Sequence, residues 1–460
     1  MAMSLRTLET VQKLQQALHA KAKGAPKFRF YTLYDKVCRK DVLWTAWRRC
    51  RSNGGVAGID GQTFEAIEAY GVMKWLEELA EELRTKTYQP EAVRRVYVPK
   101  PDGKQRPLGI PTIRDRVVQT AVLVVLEPIF EADLQPEQYG YRAGRSALGA
   151  VRAVESLLRA GYREVVDADL SGYFDSIPHA ELMQCLSRRI SDKAVLHLVK
   201  QWMDAPVEER NDRGRTIRTT RARDEKRGTP QGAPISPLLS NLYMRRFVLG
   251  WKTLGHQERL KARIVNYADD FVICCRGTAE QAHAAMVAMM ERLKLTVNGT
   301  KTHCCRLPED KFDFLGYTFG RYYSPKTGWA YYGARPAAKR IRKLCASITE
   351  QTSRRFLLLD AETVVGRLNR QLQGWANYFC IGNSKADRLV DRHLAMRLRR
   401  WLCRKHKVPG RGTARFPDDY LTHQLGLVRL PKLRRNHPVS ERMTPPCPRA
   451  GCGKTARPVR

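Results

Sequence analysis

The sequence predicts an α+β body up to about residue 335, followed by a basic, helical module. Three observations predict it. Strand-like and helix-like segments alternate in the first part. Three helical periodicities then follow one another without a strand between them. The charge also shifts: residues 331–460 hold 29 Lys+Arg and 8 Asp+Glu, a net of +21 (29 − 8), against +15 (53 − 38) for the first 330. Glycine and proline in Tyr331-Tyr332-Gly333-Ala334-Arg335-Pro336 interrupt the pattern and set the boundary there. The expected divisions are 1–335, 336–406 and 407–460.

Taken in order, Leu5 to Lys23 has apolar residues near helical spacing and several Lys/Arg. Glu9 makes it an ordinary amphipathic helix rather than a transit peptide. Val93 to Pro99 reads as a strand, continued through a turn at Asp102-Gly103 into a second strand ending near Pro111. Val117 to Phe130 reads as a helix and Glu164 to Leu170 as a strand. The apolar stretch Leu238 to Met244 reads as a helix. Ile264 to Tyr267 and Phe271 to Cys275 form a hairpin, and Gln281 to Leu293 has helical i, i+3, i+4 spacing. Helices at roughly 337–350, 361–380 and 386–406 follow. After Pro409-Gly410 comes a short, basic, Pro-rich tail, with a small fold around Tyr420 to Leu430. No internal repeat is present.

The whole chain carries 82 Lys+Arg against 46 Asp+Glu, a net charge of +36. That imbalance points to nucleic acid first and an anionic membrane second. No apolar run approaches the ~20 residues a membrane span requires, and no signal peptide opens the chain, so a cytoplasmic protein with no membrane partner is expected. Most of the twelve cysteines lie in apolar runs, as reduced, buried cysteines do. Cys447-Pro-Arg-Ala-Gly-Cys452 is half a zinc site at most, with His437 nearby, and whether it binds a metal is open.

The chemistry concentrates in Tyr267-Ala268-Asp269-Asp270, flanked by the two apolar runs of the hairpin. Adjacent carboxylates repel unless something positive sits beside them, and the natural candidate is an oxygen-loving divalent ion such as Mg²⁺. A solvated polar turn is the bland alternative. Period-two alternation sets Asp167 and Asp169 on one face of their strand, with Val166, Ala168 and Leu170 on the other. Asp169, at the strand end, is placed to join the pair and hold two metals for in-line displacement at phosphorus. Lys100 and Arg106 flank the Asp102-Gly103 turn, where a hairpin can close over phosphates, although a polar hairpin needs no such role. The loop Gly228-Thr229-Pro230-Gln231-Gly232-Ala233-Pro234 is rigid and sharply bent, and Gln231 in it suits close approach to a nucleotide or base pair.

With these motifs in hand, the chain resembles a group II intron reverse transcriptase/maturase of bacterial type, over nearly its whole length and in order. Asn53 to Gly61 resembles the N-terminal extension block. Val98 to Pro111 with Asp115 to Gln119, and Gln138 to Ser146, resemble the fingers blocks. Asp169 to Asp175, the Gly228 loop and the Asp-Asp hairpin resemble the palm blocks. Asn298 to Thr302 and Phe314 to Tyr317 resemble the last two blocks, and Gly374 to Phe379 is similar to the thumb signature. The resemblance implies a right-hand polymerase with fingers and an antiparallel palm sheet over 1–335, an α-helical thumb over 336–406, and a small basic DNA-binding tail over 407–460. It implies that Asp169, Asp269 and Asp270 hold two Mg²⁺, that Lys100 and Arg106 bind the incoming deoxynucleoside triphosphate, and that Phe174 excludes a 2′-hydroxyl. Gln231 would line the nucleotide pocket, Phe314-Leu315-Gly316 would grip the primer, and Arg142 and Arg145 would touch template phosphates.

Trp375, Tyr378 and Phe379, at i, i+3 and i+4, read as a core-packing helix face. RNA contact then falls to Arg397, Arg399, Arg400, Arg404 and Lys405, in the region of excess positive charge. The residues after the thumb helices lack the His/Asn and paired-Cys pattern of the family's endonuclease domain, so none is expected. Gly451 to Thr455 has the wrong context for a phosphate loop. The expected function is copying of intron RNA into DNA and binding of that RNA to assist splicing and mobility. The expected partners are group II intron RNA, an RNA template with a DNA primer, and target DNA. Two alternatives share the residues: a domesticated relative serving phage defence or DNA repair, and a splicing cofactor that binds RNA without polymerising.

Overall fold

The computed structural model describes residues 2–99, 103, 105–210, 215–324, 327–381 and 385–435. Lys100, His437, Cys447 and Cys452, all named above, lie outside the described residues. The chain divides into two compact units, Met1–Asp310 and Lys311–Arg460.

Among the described residues, the first unit contains eight strands: β1 (Val93–Pro99), β2 (Gln105–Ile110), β3 (Glu164–Ala168), β4 (Val207–Arg210), β5 (Thr216–Thr219), β6 (Ala262–Tyr267), β7 (Asp270–Cys275) and β8 (His303–Arg306). They form two four-stranded sheets, β2-β1-β4-β5 and β6-β7-β3-β8. The second is antiparallel throughout. Every residue from Phe271 to Cys275 is buried, so β7 is a central strand covered on both faces, which explains its unbroken apolar run. In β3 the alternation holds: Ala168 and, just beyond the strand, Leu170 are buried while Asp167 and Asp169 are half-exposed.

The helix expected at Val117–Phe130 runs from Ile113 to Glu131 and is buried on every side, as an all-round apolar helix must be. It begins one turn early because the Thr112 hydroxyl accepts from Asp115 N–H at 3.1 Å, a cap that hydrophobic periodicity does not register. The helix Ser236–Thr253 packs into the same core through Leu239, Tyr243, Phe247 and Trp251.

The second unit opens with β9 (Phe312–Phe314), β10 (Tyr317–Tyr323) and β11 (Ala330–Pro336), in the order β11-β10-β9. Here the expected break at Tyr331–Pro336 is corrected. The segment is a strand paired along its length with β10. Its glycine has a strand partner: Gly333 pairs with Gly320 of β10, where an added Cβ would come within 2.9 Å of the Lys311 side chain. Pro336 ends the strand, where a missing N–H costs no internal ladder bond.

Helices Ala338–Gln351, Ala361–Tyr378 and Lys385–Lys405 follow, bonded by a core that includes Leu344, Leu368, Leu372, Leu394, Leu398 and Trp401. Phe416, Leu421, Leu427 and Leu430, from the stretch expected as a tail, join that same core. The Trp375 and Phe379 rings meet at 4.9 Å with their planes tilted by 34°, and Phe379 meets Tyr317 of β10 at 5.2 Å. The aromatic face of Gly374 to Phe379 therefore ties helix to sheet within this unit, as core packing requires.

Asp391 in this core accepts from Leu430 N–H at 3.2 Å. Burial, with Asp387 adding repulsion, pushes its carboxyl up to about 6. A carboxyl whose folded value is raised favours folding when protonated. That contribution is complete below the ordinary carboxylate range and is lost as pH rises through about 6. Asp391→Asn should therefore raise the melting temperature at pH 8, by an amount equivalent to ~1 kcal/mol after allowance for partial solvent screening. At pH 4 it should leave the melting temperature unchanged. Thermal melts at the two pH values check this.

Candidate active site

β6 and β7 meet in a tight turn: Tyr267 pairs with Asp270, leaving Ala268 and Asp269 as the two turn residues. Ala268 has φ 59°, a left-handed backbone that an alanine adopts only when its surroundings enforce it. The enforcement comes from a buried polar cluster. The Asn266 side-chain amide donates to Ala268 O at 2.7 Å, and Asn266 is fully buried. Its own backbone is clamped by Tyr139 N–H to Asn266 O (2.8 Å) and Asn266 N–H to Glu137 O (2.9 Å). Gly140 lies against the turn so closely that an added Cβ would sit 2.6 Å from Ala268 N. Asn241 donates to Gly140 O at 2.7 Å, and Gln138 donates to Asn241 O at 2.9 Å.

The register of β3 against β7 ends at Ala168 opposite Phe271. One step further along both strands brings Asp169 beside Asp270. Asp169 is fixed from the other side: its N–H donates to Thr302 Oγ1 (3.2 Å), while Asn298 Nδ2 (3.1 Å) and Lys301 Nζ (3.2 Å) donate to its Oδ2. The Asn298–Thr302 turn thus holds the first carboxylate of the group, as the Asn266 cluster holds the other two.

Asp169, Asp269 and Asp270 line one cleft of about 1600 Å³, together with Arg106, Phe174 and Gln231. That volume exceeds the range usual for small-molecule pockets and suits a polymer with a nucleotide beside it. Crowding by the cleft walls first, then repulsion from Asp269 and Asp169, pushes the Asp270 carboxyl up to about 6 despite the pull of Arg106 and Lys301, although the side chain still meets solvent at the cleft mouth. Among the described residues, no three His, Cys, Asp or Glu side chains are already closed into a metal-ligand set. Asp169 is instead turned to Lys301. Three oxygen-donor carboxylates that destabilise one another in an open cleft are nonetheless the donor chemistry a hard divalent cation fits, because the cation relieves their repulsion.

The remaining sequence-predicted residues separate into two groups. Arg106 and Gln231 meet at the cleft: Gly109 N–H of β2 donates to Gln231 O at 2.6 Å, and Gly232 packs so tightly that a Cβ would lie 2.5 Å from Gly109 O. Thr229 N–H donates to Phe174 O at 2.8 Å, tying the Gly228 loop to the Asp169–Asp175 turn. Tyr173 beside Phe174 is buried, with its hydroxyl donating to Ser240 O, so Phe174 is the more open of the two rings.

Arg142 is a correction. Its side chain is 5% exposed, and its donors go to Glu131 and to the carbonyls of Gln135 and Gln138. It builds the loop before Gly140, with four of its five N–H groups spent on Glu131, Gln135 and Gln138 and almost none of the side chain open to a template phosphate. Arg145 is exposed, with its guanidinium over the Tyr139 ring and one donor 3.3 Å from Pro136 O.

In the second unit, Phe314 is buried, and Leu315 and Gly316 form the β9–β10 turn with φ 50° and 81°. Tyr378 donates to Leu315 O at 2.7 Å, so the helix Ala361–Tyr378 supports that turn. The five expected RNA contacts divide. Arg397 donates to Thr349 O and Thr352 Oγ1, Arg399 to Phe416 O and Asp418, and Lys405 to the carbonyls of Leu357 and Leu359. These three hold the helical core together, which corrects their reading as a phosphate-binding set. Arg400 and Arg404 face solvent.

Sequence reasoning missed Gly140, Asn241 and Asn266, and it gave no role to the Asn298 and Lys301 side chains. A buried asparagine inside an apolar strand, as in Ile264-Val265-Asn266, was the available signal.

Residues 98–319 match reverse transcriptase (RNA-dependent DNA polymerase), and the α+β architecture is that of a right-hand polymerase. Residues 340–416 match the maturase-specific domain of group II introns. The chain is 34% identical over 346 residues to Protein YkfC of Escherichia coli (strain K12), covering 67% of this chain and 87% of that protein. It is 32% identical over 233 residues to the group II intron-encoded protein LtrA of Lactococcus lactis, covering 50% of this chain and 37% of that protein. A putative COX1/OXI3 intron 1 protein of Saccharomyces cerevisiae is 31% identical over 328 residues, covering 60% of this chain and 38% of that protein. The match thus spans most of YkfC and little more than a third of the two intron proteins. The chain belongs to the group II intron reverse transcriptase/maturase family. Among the described residues, no helix is long and apolar enough to cross a membrane.

Proposed function

We propose that this chain is an RNA-directed DNA polymerase that copies group II intron RNA into DNA and binds that RNA to assist splicing and mobility. The observation that carries the reading is the convergence of Asp169, Asp269 and Asp270 on a cleft that also presents Arg106, Phe174 and Gln231. Asp169, Asp269 and Asp270 would hold two Mg²⁺, which when bound neutralise charge on the primer 3′-hydroxyl and on the leaving pyrophosphate. Arg106, with Lys100, draws the triphosphate of a deoxynucleotide towards the carboxylates. Gln231 borders the nascent base pair. Phe314-Leu315-Gly316 would support the primer, and Arg145 the template. The division into fingers and palm (1–335), thumb (336–406) and a DNA-binding tail (407–460), in a bacterial cytoplasm, belongs to the same reading. Extension of a DNA primer on an RNA template should occur in Mg²⁺ and stop with a chelator. Background incorporation in both would overturn it in favour of a splicing cofactor that no longer polymerises.

Two further outcomes follow. Phe174→Ala should raise ribonucleotide incorporation about tenfold or more, since one lost side-chain contact to the sugar is worth ~1–3 kcal/mol of discrimination. Competition between dATP and ATP measures this. Unchanged discrimination in Phe174→Ala, with a change in Tyr173→Ala, would move the sugar wall to the neighbouring ring. For the thumb, Arg400→Ala/Arg404→Ala should weaken RNA binding and lower the slope of log affinity against log salt by about 2. Arg397→Ala should lower the melting temperature and leave that slope in place. Binding titrations across a salt series check both.

A further inference from the structure

His179 opens the helix His179–Ser187 and is 7% exposed, yet no role given above uses it. Its Nε2 lies 2.8 Å from Gly228 O. Its Nδ1 lies 3.4 Å from Asp204 Oδ1, at the end of the helix Lys193–Asp204. Its backbone N–H donates to Lys226 O at 2.9 Å. A carbonyl only accepts, so the Gly228 contact requires a proton on Nε2.

What the ring grips matters more than the grip. Gly228 has φ 98°, and its N–H donates to Ile177 O at 2.8 Å. An added Cβ would lie 3.2 Å from Asp175 O, so the loop runs flush against the Asp169–Asp175 turn at this point. The next residue, Thr229, donates to Phe174 O, and Gln231 O accepts from Gly109 of β2. His179 therefore fixes the first residue of a stretch that touches both Phe174 and the strand carrying Arg106.

We propose that His179, backed by Asp204, is a positioning residue that sets the Gly228–Gln231 loop and the Phe174 wall for deoxynucleotide binding. This rests on the polymerase reading for its kinetic consequence and on geometry alone for its structural one. Losing one buried hydrogen bond that holds the loop corresponds to about a tenfold change.

The test uses the full chain. His179→Leu should raise the KM for dNTP about tenfold on an RNA template, with kcat within about twofold and template–primer affinity unchanged. His179→Gln, whose side-chain amide can donate to Gly228 O, should restore most of the KM. Asp204→Asn should shift KM the same way by less, and it serves if His179→Leu does not fold. Amide hydrogen exchange at Gly228 and Thr229 should speed up in His179→Leu and recover in His179→Gln, while exchange in β6 and β7 stays slow. Unchanged KM in folded His179→Leu, or His179→Gln behaving like His179→Leu, would overturn the proposal. If the exchange pattern appears but the wild type extends no primer, the polymerase reading fails and the positioning role stands. If the exchange pattern is absent, the positioning role fails whatever the activity.

Discussion

Asp269→Ala/Asp270→Ala is expected to lower primer extension about a thousandfold or more while leaving the protein folded and able to bind RNA. The loss follows from removing two of the three carboxylates that would carry the metal charge at the reacting phosphorus. The retained fold follows from electrostatics. Asp270 is held up to about 6 by desolvation in the cleft first, then by Asp269 and Asp169, so in metal-free buffer its ionised form opposes folding, by an amount that its exposure to solvent screens. That cost is present above about pH 6 and vanishes below the ordinary carboxylate range. The double variant should therefore melt no lower than wild type at pH 8, and close to it at pH 4. Extension kinetics, RNA titration and metal-free melts together check this. A variant that loses RNA binding in parallel with extension would show that the pair organises the fold and not the chemistry.

Gly140→Ala should cut kcat about a hundredfold, because a displacement of the order of an ångström at a reacting centre costs that much. An ideal Cβ there lies 2.6 Å from Ala268 N, 3.1 Å from Tyr267 C and 3.2 Å from Ala268 Cβ. Those are backbone and turn atoms with no flexible end to swing aside. The Ala268 backbone is already in a left-handed conformation, so the added methyl must move the turn that carries Asp269. Overpacking of this kind also destabilises by ~1–3 kcal/mol. Gly374→Ala is the control, since nothing lies within 4 Å of its added Cβ and the residue is helical. Steady-state extension and thermal melts of both variants decide it. Wild-type kcat in a folded Gly140→Ala protein would contradict the placement of Gly140 as the support of the turn.

The parts of the fold visible in the sequence are those where period alone carries the information. The apolar runs flanking Asp269-Asp270, the alternation around Asp167 and Asp169, and the three later helices each report which face is buried. Periodicity does not report partners. The pairs Asn241–Gly140 and Lys301–Asp169 are separated by 101 and 132 positions, and no local pattern announces them. Breaker rules failed at Tyr331–Pro336 because Gly333 had a strand partner, Gly320, that local sequence does not reveal. Carry-over from the resemblance at Arg142, and charge counting at Arg397, Arg399 and Lys405, failed for the same reason. A guanidinium or ammonium that reaches carbonyls across the fold has the same sequence appearance as one that reaches a phosphate. The regional excess of positive charge is real, but Arg400 and Arg404 express it at the surface of the long helix while their neighbours pack.

The central claim, that this carboxylate cleft makes DNA on an RNA template, is tested most directly by sequencing the product of the wild-type chain. A DNA primer annealed to an RNA of defined sequence, with all four dNTPs and Mg²⁺, should yield DNA complementary to the RNA to its 5′ end. Bound duplex with no extension, or extension whose sequence ignores the template, would contradict it.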